Sequence, residues 1–146
     1  MLTTKTNLLA FDYGERRIGV AYAHASSRLA GPLTVLINNE NIWNEILKLI
    51  ETEEVGTIVV GLPRSLSGHD TDQTRSVRSF AATLKAKTKL TVVLQDEALT
   101  SRQAEAELRA KGKKFAQGDI DALAATYILE DYLKTLGNIH SMEKKA

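Results

Sequence analysis

The stretch LLAFDYGERRIG, residues 8–19, decides how the rest of the chain is read. Leu8 to Phe11 are apolar at every position, as expected of a strand covered on both faces and therefore central in its sheet. The run ends on Asp12, a carboxylate that is costly to bury without a partner. Asp-Tyr-Gly is also good turn chemistry, so a plain turn is the competing reading of Asp12.

Outward from this strand the rhythm changes. Ile18 to Ala23 and Leu29 to Ile37 read as two further strands on short connections, which makes an antiparallel meander. Residues 40–53 switch to helical spacing, with Ile42, Trp43, Ile46, Leu47, Leu49 and Ile50 on one face. A fourth strand follows at TIVVGL, then the loop PRSLSGHD and a helix near residues 72–87 that carries Val77, Phe80, Ala81 and Leu84. A fifth strand, LTVVLQ, runs straight into Asp96 and Glu97. Thr100 with Gln103 resembles a capping box for a helix to about Arg109, and a last helix ends near Gly137. The expected fold is α/β: a mixed five-stranded sheet, three strands in an antiparallel meander and then parallel strands, with helices on both faces. Residues 1–137 are expected to form a single domain, and 138–146 a flexible polar tail.

Composition narrows the function classes. The chain has 146 residues, a net charge of +1 and no cysteine, which excludes disulfides and thiolate metal sites. No apolar run approaches the roughly 20 residues of a membrane span. MLTTKTN lacks the sections of a signal peptide, so no membrane association and a cytoplasmic location are expected. Charge is unevenly spread: five glutamates lie between residues 40 and 54, whereas RAKGKKF carries Arg109, Lys111, Lys113 and Lys114 beside Phe115. His24, His69 and His140 show no metal-ligand spacing.

Three carboxylates stand where an unpaired charge would be expensive: Asp12, Glu97 at the end of the fifth strand, and Asp121 in the first turn of the last helix. At 100° per residue Asp121 points with Ala125, Ile128 and Tyr132 toward the core, while Asp119, Thr126 and Glu130 share a polar face. Asp119 reads as a cap or a first-turn acid. Strand ends and neighbouring helix N-termini converge in α/β sheets, and clustered carboxylates need a positive partner to ionise together. A divalent cation, Mg²⁺ or Mn²⁺ as one or two ions, would serve, and such ions support phosphodiester hydrolysis. The basic loop would then meet phosphates and Phe115 could stack on a base.

Four motifs, FDYGERRIGVA, VGLPRSLSG, QDEALTS and DIDALAATYILEDYL, resemble the YqgF (RuvX) family in order and spacing from about residue 8 to 134. The resemblance implies an RNase H-like fold and a metal-dependent nuclease, assigned to Holliday-junction resolution and to trimming the 5′ end of pre-16S ribosomal RNA. It places the family's acids on Asp12, Glu97 and Asp121, and its DxGxxRIG arginine on Arg17. Arg17, Thr100, Arg102, Lys111, Lys113 and Lys114 are the candidate nucleic-acid contacts. Two departures stand out: Ala98 replaces the arginine of the usual DER triplet, and Ser65 the asparagine of GLPxNxxG. Arg102 could substitute for the first. The alternatives are a resolvase acting on branched DNA and a non-catalytic nucleic-acid-binding module. A sugar-kinase-like or actin-like ATPase would need a second domain. RNA is favoured over branched DNA by the resemblance alone, and both monomer and homodimer remain open.

Overall fold

The computed structural model describes residues 6–63, 70–97, 100–112 and 116–144, with the backbone alone at 100–103 and 138–144. Among the described residues nine elements follow in chain order: β1 (Asn7–Tyr13), β2 (Arg17–Ala23), β3 (Ala30–Ile37), α1 (Ile42–Thr52), β4 (Val55–Pro63), α2 (Asp72–Thr88), β5 (Thr91–Glu97), α3 (Thr100–Ala110) and α4 (Gln117–Lys144). The sheet order is β3-β2-β1-β4-β5, so β1 is central, antiparallel to β2 and parallel to β4. The mixed sheet matches the expected fold class.

Alternation along the central strands divides the core in two. Leu9, Phe11, Ile18, Val20, Ile58, Val60 and Leu62 face α1 and α2, where Ile42, Ile46, Ile50, Val77, Phe80, Ala81 and Leu84 meet them. Leu8, Ala10, Ala21, Ala23 and Val59 face α4 through Ala125, Ile128 and Leu129. Small side chains dominate the sheet side of this second layer, so the helix lies close to the strands. Odd positions of β1 therefore look at α1 and α2, and even positions, Asp12 among them, look at α4.

Local chemistry fixes how α2 begins. Thr71 caps the helix by accepting a hydrogen bond from the Thr74 N–H at 3.2 Å, and the Thr71 N–H donates to Thr74 Oγ1 at 3.2 Å. Buried Thr74 Oγ1 donates in turn to the Pro63 carbonyl at 2.9 Å, which ties the start of α2 to the end of β4.

Several boundaries differ from those the sequence suggests. β1 and β5 run further, so Asp12 and Glu97 are strand residues paired with Gly19 and Pro63 rather than groups just past a strand end. On α1 the buried stripe is narrower than expected: Ile42, Ile46 and Ile50 are covered, but Leu47 is exposed. Thr126, expected on a polar face, is buried, because α4 packs on α3 as well as on the sheet; its hydroxyl donates to the Ala122 carbonyl at 2.8 Å. Gly137 does not stop α4, which continues to Lys144 where a polar tail was expected from residue 138. Gly137 has no positive φ and no neighbour that a Cβ would meet, so it behaves as an ordinary helical residue. No helix among the described residues is long and apolar enough to cross a membrane.

Candidate acidic site

Asp12 points to the α4 side of β1, and its register partner across the β1/β2 ladder is Gly19. A Cβ on Gly19 would stand 2.0 Å from the Asp121 carbonyl oxygen and 3.0 Å from the Ala122 nitrogen. Only glycine allows the first turn of α4 to rest on the backbone of β2 at that point. The close approach sets Asp121 beside Asp12. Arg17, two residues earlier on the same face of β2, donates from Nε to Asp121 Oδ2 at 2.7 Å. The pair joins residues 104 apart in sequence and is mostly covered, the side chains being 36% and 18% exposed.

A second glycine makes room for the third acid. Gly61 lies on β4 one residue beyond Val60, which pairs with Phe11. A Cβ there would lie 2.4 Å from Ile128 Cδ1 and 2.8 Å from Glu97 Oε2. The Glu97 carboxylate thus folds over the bare backbone of β4 toward Asp12. All three acids selected from the sequence lie at the C-terminal end of the parallel strands, on the α4 side of the sheet, where Glu97 and Asp121 act electrostatically on Asp12.

Their electrostatics show the crowding. The Asp12 carboxyl is pushed up to about 8, first by burial and then by the negative charges of Glu97 and Asp121. Arg17 answers part of that charge through Asp121. All the donors are oxygens, which suits a hard divalent cation. Among the described residues, however, no three His, Asp or Glu side chains stand grouped as a ready-made metal cage.

The remaining candidates are more scattered. Arg17, expected to contact nucleic acid, is held by Asp121. α3 starts three residues after Glu97, which brings the backbone of Thr100 and Arg102 near the acids in sequence; their side chains are not described. Lys111 pairs with Glu107 at 3.2 Å and Arg109 with Glu105 at 2.6 Å, so this end of α3 is less cationic than its sequence. Lys113, Lys114, Phe115, Ser65, His69 and Ala98 lie outside the described residues. Asp119 accepts a hydrogen bond from the Ala116 N–H at 2.9 Å, the first-turn role expected of it. His24 bonds to Ser26, away from the acids. Sequence reasoning did not single out Gly19 and Gly61 as site residues, although an isolated glycine inside a strand is a signal of close backbone approach.

Comparison with known proteins shows the family and the fold. The family described as RuvX, Holliday junction resolvase, matches residues 6–135. A relative from Maridesulfovibrio salexigens, assigned as a pre-16S rRNA nuclease, is 40% identical over 130 residues, covering 86% of this chain and 96% of its own. One from Chloroflexus aurantiacus with the same assignment is 42% identical over 130 residues, covering 86% and 85%. Among solved structures, Thermus thermophilus RuvC superposes with a TM-score of 0.55 at 12% identity over 90% of this chain and 97% of that one. The Fowlpox virus resolvase, solved with Holliday junction DNA, gives 0.58 at 9% identity over 90% and 99%. These two likenesses are of fold, the RNase H-like arrangement that the family resemblance implies.

Proposed function

This chain belongs to the RuvX family, and on that footing we propose that it is a divalent-metal-dependent nuclease whose acidic centre is Asp12, Glu97 and Asp121. The substrate class we assign is RNA, at the 5′ end of pre-16S ribosomal RNA, after the names its relatives carry. The observation that carries the catalytic reading is Asp12. A chain with no catalytic task has little reason to crowd two more carboxylates around a half-buried aspartate until its proton is retained to about 8.

Asp12, Glu97 and Asp121 would hold the cation, and the donor set fits: oxygen ligands only, a surplus of negative charge, and one carboxyl that needs positive charge to ionise at neutral pH. When bound, a divalent ion supplies charge stabilisation for phosphoryl oxygens and Lewis acidity toward water. The chain's own contribution is placement. β1 and β5 fix Asp12 and Glu97 on rigid strands, and Arg17 orients the Asp121 carboxylate through its 2.7 Å bond.

The test sets a pre-16S 5′ leader and a four-way DNA junction side by side, with Mg²⁺ or Mn²⁺, for the wild type and for Asp12→Asn and Asp121→Asn. Cleavage of the leader that both variants lose supports the proposal. Wild-type cleavage by either variant overturns the assigned centre. Cutting of the junction alone would favour the second reading, a resolvase, which the family's description supports.

A further inference from the structure

Charge patterning in the sequence draws attention to the loop after α3, yet a larger cationic stretch lies on α2. Residues 70–89 hold Arg75, Arg78, Lys85, Lys87 and Lys89 against Asp70 and Asp72. Arg75 pairs with Asp72, and Arg78 with Asp70 at 3.2 Å. The exposed Lys85, Lys87 and Lys89 are then the charge that the C-terminal half of α2 presents to solvent, while α1, in the same layer, presents Glu45, Lys48 and Glu51.

Beside them, between α1 and α2, runs an open groove of about 440 Å³ lined by Tyr13, Trp43, Arg75, Ser79, Phe80 and Thr83. It shares Tyr13 and Ser76 with a hollow of about 290 Å³ that extends to Gly14, Glu15, Asp72 and Gln73, where Asp72 is paired with Arg75. Tyr13 directly follows Asp12 on β1 but faces the other side of the sheet. The track therefore starts at the strand end that carries the acids and passes over the turn at residues 14–16. Its floor is aromatic: Tyr13 and Phe80 lie 4.6 Å apart, tilted 33°, and Phe80 and Trp43 lie 5.5 Å apart, tilted 31°. Lys87 Nζ sits 5.5 Å from the Trp43 ring centroid.

Flat rings beside ammonium groups suit bases and phosphates together, and base stacking tolerates any sequence. We propose that this groove is a second contact for single-stranded nucleic acid, in which a base packs against Trp43 and Tyr13 while the adjoining backbone meets Lys87. The proposal rests on the nuclease reading above and extends it to the opposite face of the sheet. A strand bound there would be held on one side of the cleavage point, with the acids around the end of β1.

Tryptophan occurs once in the chain, so its emission reports on this groove. The experiment titrates the full-length Asp12→Asn protein, without divalent ions, with a short single-stranded oligonucleotide as RNA and as DNA. Labelled-oligonucleotide anisotropy and Trp43 fluorescence are read together. Both signals should saturate at the same concentration. Lys87→Gln should reduce the salt slope by about one counterion. Trp43→Leu, followed by anisotropy, should weaken binding roughly tenfold. Ser79→Glu places a negative charge on the exposed wall of the groove without touching the core, and should also weaken binding. Anisotropy that saturates while Trp43 stays silent and Ser79→Glu binds like its parent overturns the groove and leaves the nuclease reading standing. No binding by anisotropy to either oligonucleotide also overturns the groove, and the nuclease reading then stands or falls on wild-type cleavage of the leader with Mg²⁺ or Mn²⁺.

Discussion

At the scale of single residues the chemistry turns on one proton. In the folded, metal-free protein Asp12 keeps its proton to about pH 8, whereas in the unfolded chain an aspartate loses it near pH 4. Between those values the native state binds more protons than the unfolded state, so stability falls as pH rises through the window. Below about pH 4 both states are protonated and the contribution is unaffected. Asp12→Asn removes the titration. The metal-free variant should therefore gain more in melting temperature over the wild type at pH 8 than at pH 5, by calorimetry in chelator. Parallel curves across that range would show that Asp12 is not strained by its neighbours. The same substitution should abolish cleavage, so the residue trades stability for function.

At the scale of elements, the acids meet because α4 can touch β2. Gly19→Ala would drive a methyl group into the Asp121 carbonyl, and backbone cannot swing away as a flexible side chain can. A loss of about 1 to 3 kcal/mol is expected in urea titrations. Displacing Asp121 by about 1 Å should also cost cleavage on the order of a hundredfold. Gly137→Ala is the contrasting case: nothing lies within 4 Å of the added Cβ, and the residue is helical. It should stabilise the protein by up to about 1 kcal/mol and raise helical circular dichroism, whereas a glycine that terminated the helix would make alanine destabilising. These two glycines also mark what the sequence discloses. Alternation and 3.6-residue spacing reveal the strands and helices, because each face obeys a local period. Asp12, Glu97 and Asp121 are legible because strand ends and helix starts converge in any α/β sheet. The Arg17–Asp121 bond spans 104 residues and depends on register, which no local pattern encodes. Gly19 and Gly61 likewise gain meaning only once it is known which backbone or carboxylate lies opposite. The end of α4 is not legible in the sequence because Gly137 is compatible both with a stop and with an ordinary helical position.

At the scale of the whole molecule, a cation at the acids would join β1, β5 and α4, which are otherwise held by two separate hydrophobic layers. Binding to the native state alone raises its stability by mass action, so Mn²⁺ should raise the melting temperature of the wild type. Asp12 makes that binding depend on protons. To ligate below pH 8 it must release the proton it holds, and affinity should rise about tenfold per pH unit between about pH 6 and pH 7.5, flattening as its own value near 8 is reached. Calorimetric titration in two buffers of different ionisation enthalpy counts the released proton directly, and about one per ion is expected near pH 6.5. Asp12→Asn should remove both the pH slope and the proton release, and most of the thermal shift with them. Mn²⁺ affinity in the wild type that ignores pH, or a variant that binds with unchanged proton release, would place the cation elsewhere. That result would separate the crowded carboxylates from metal binding and leave the Arg17–Asp121 pair as a purely structural contact.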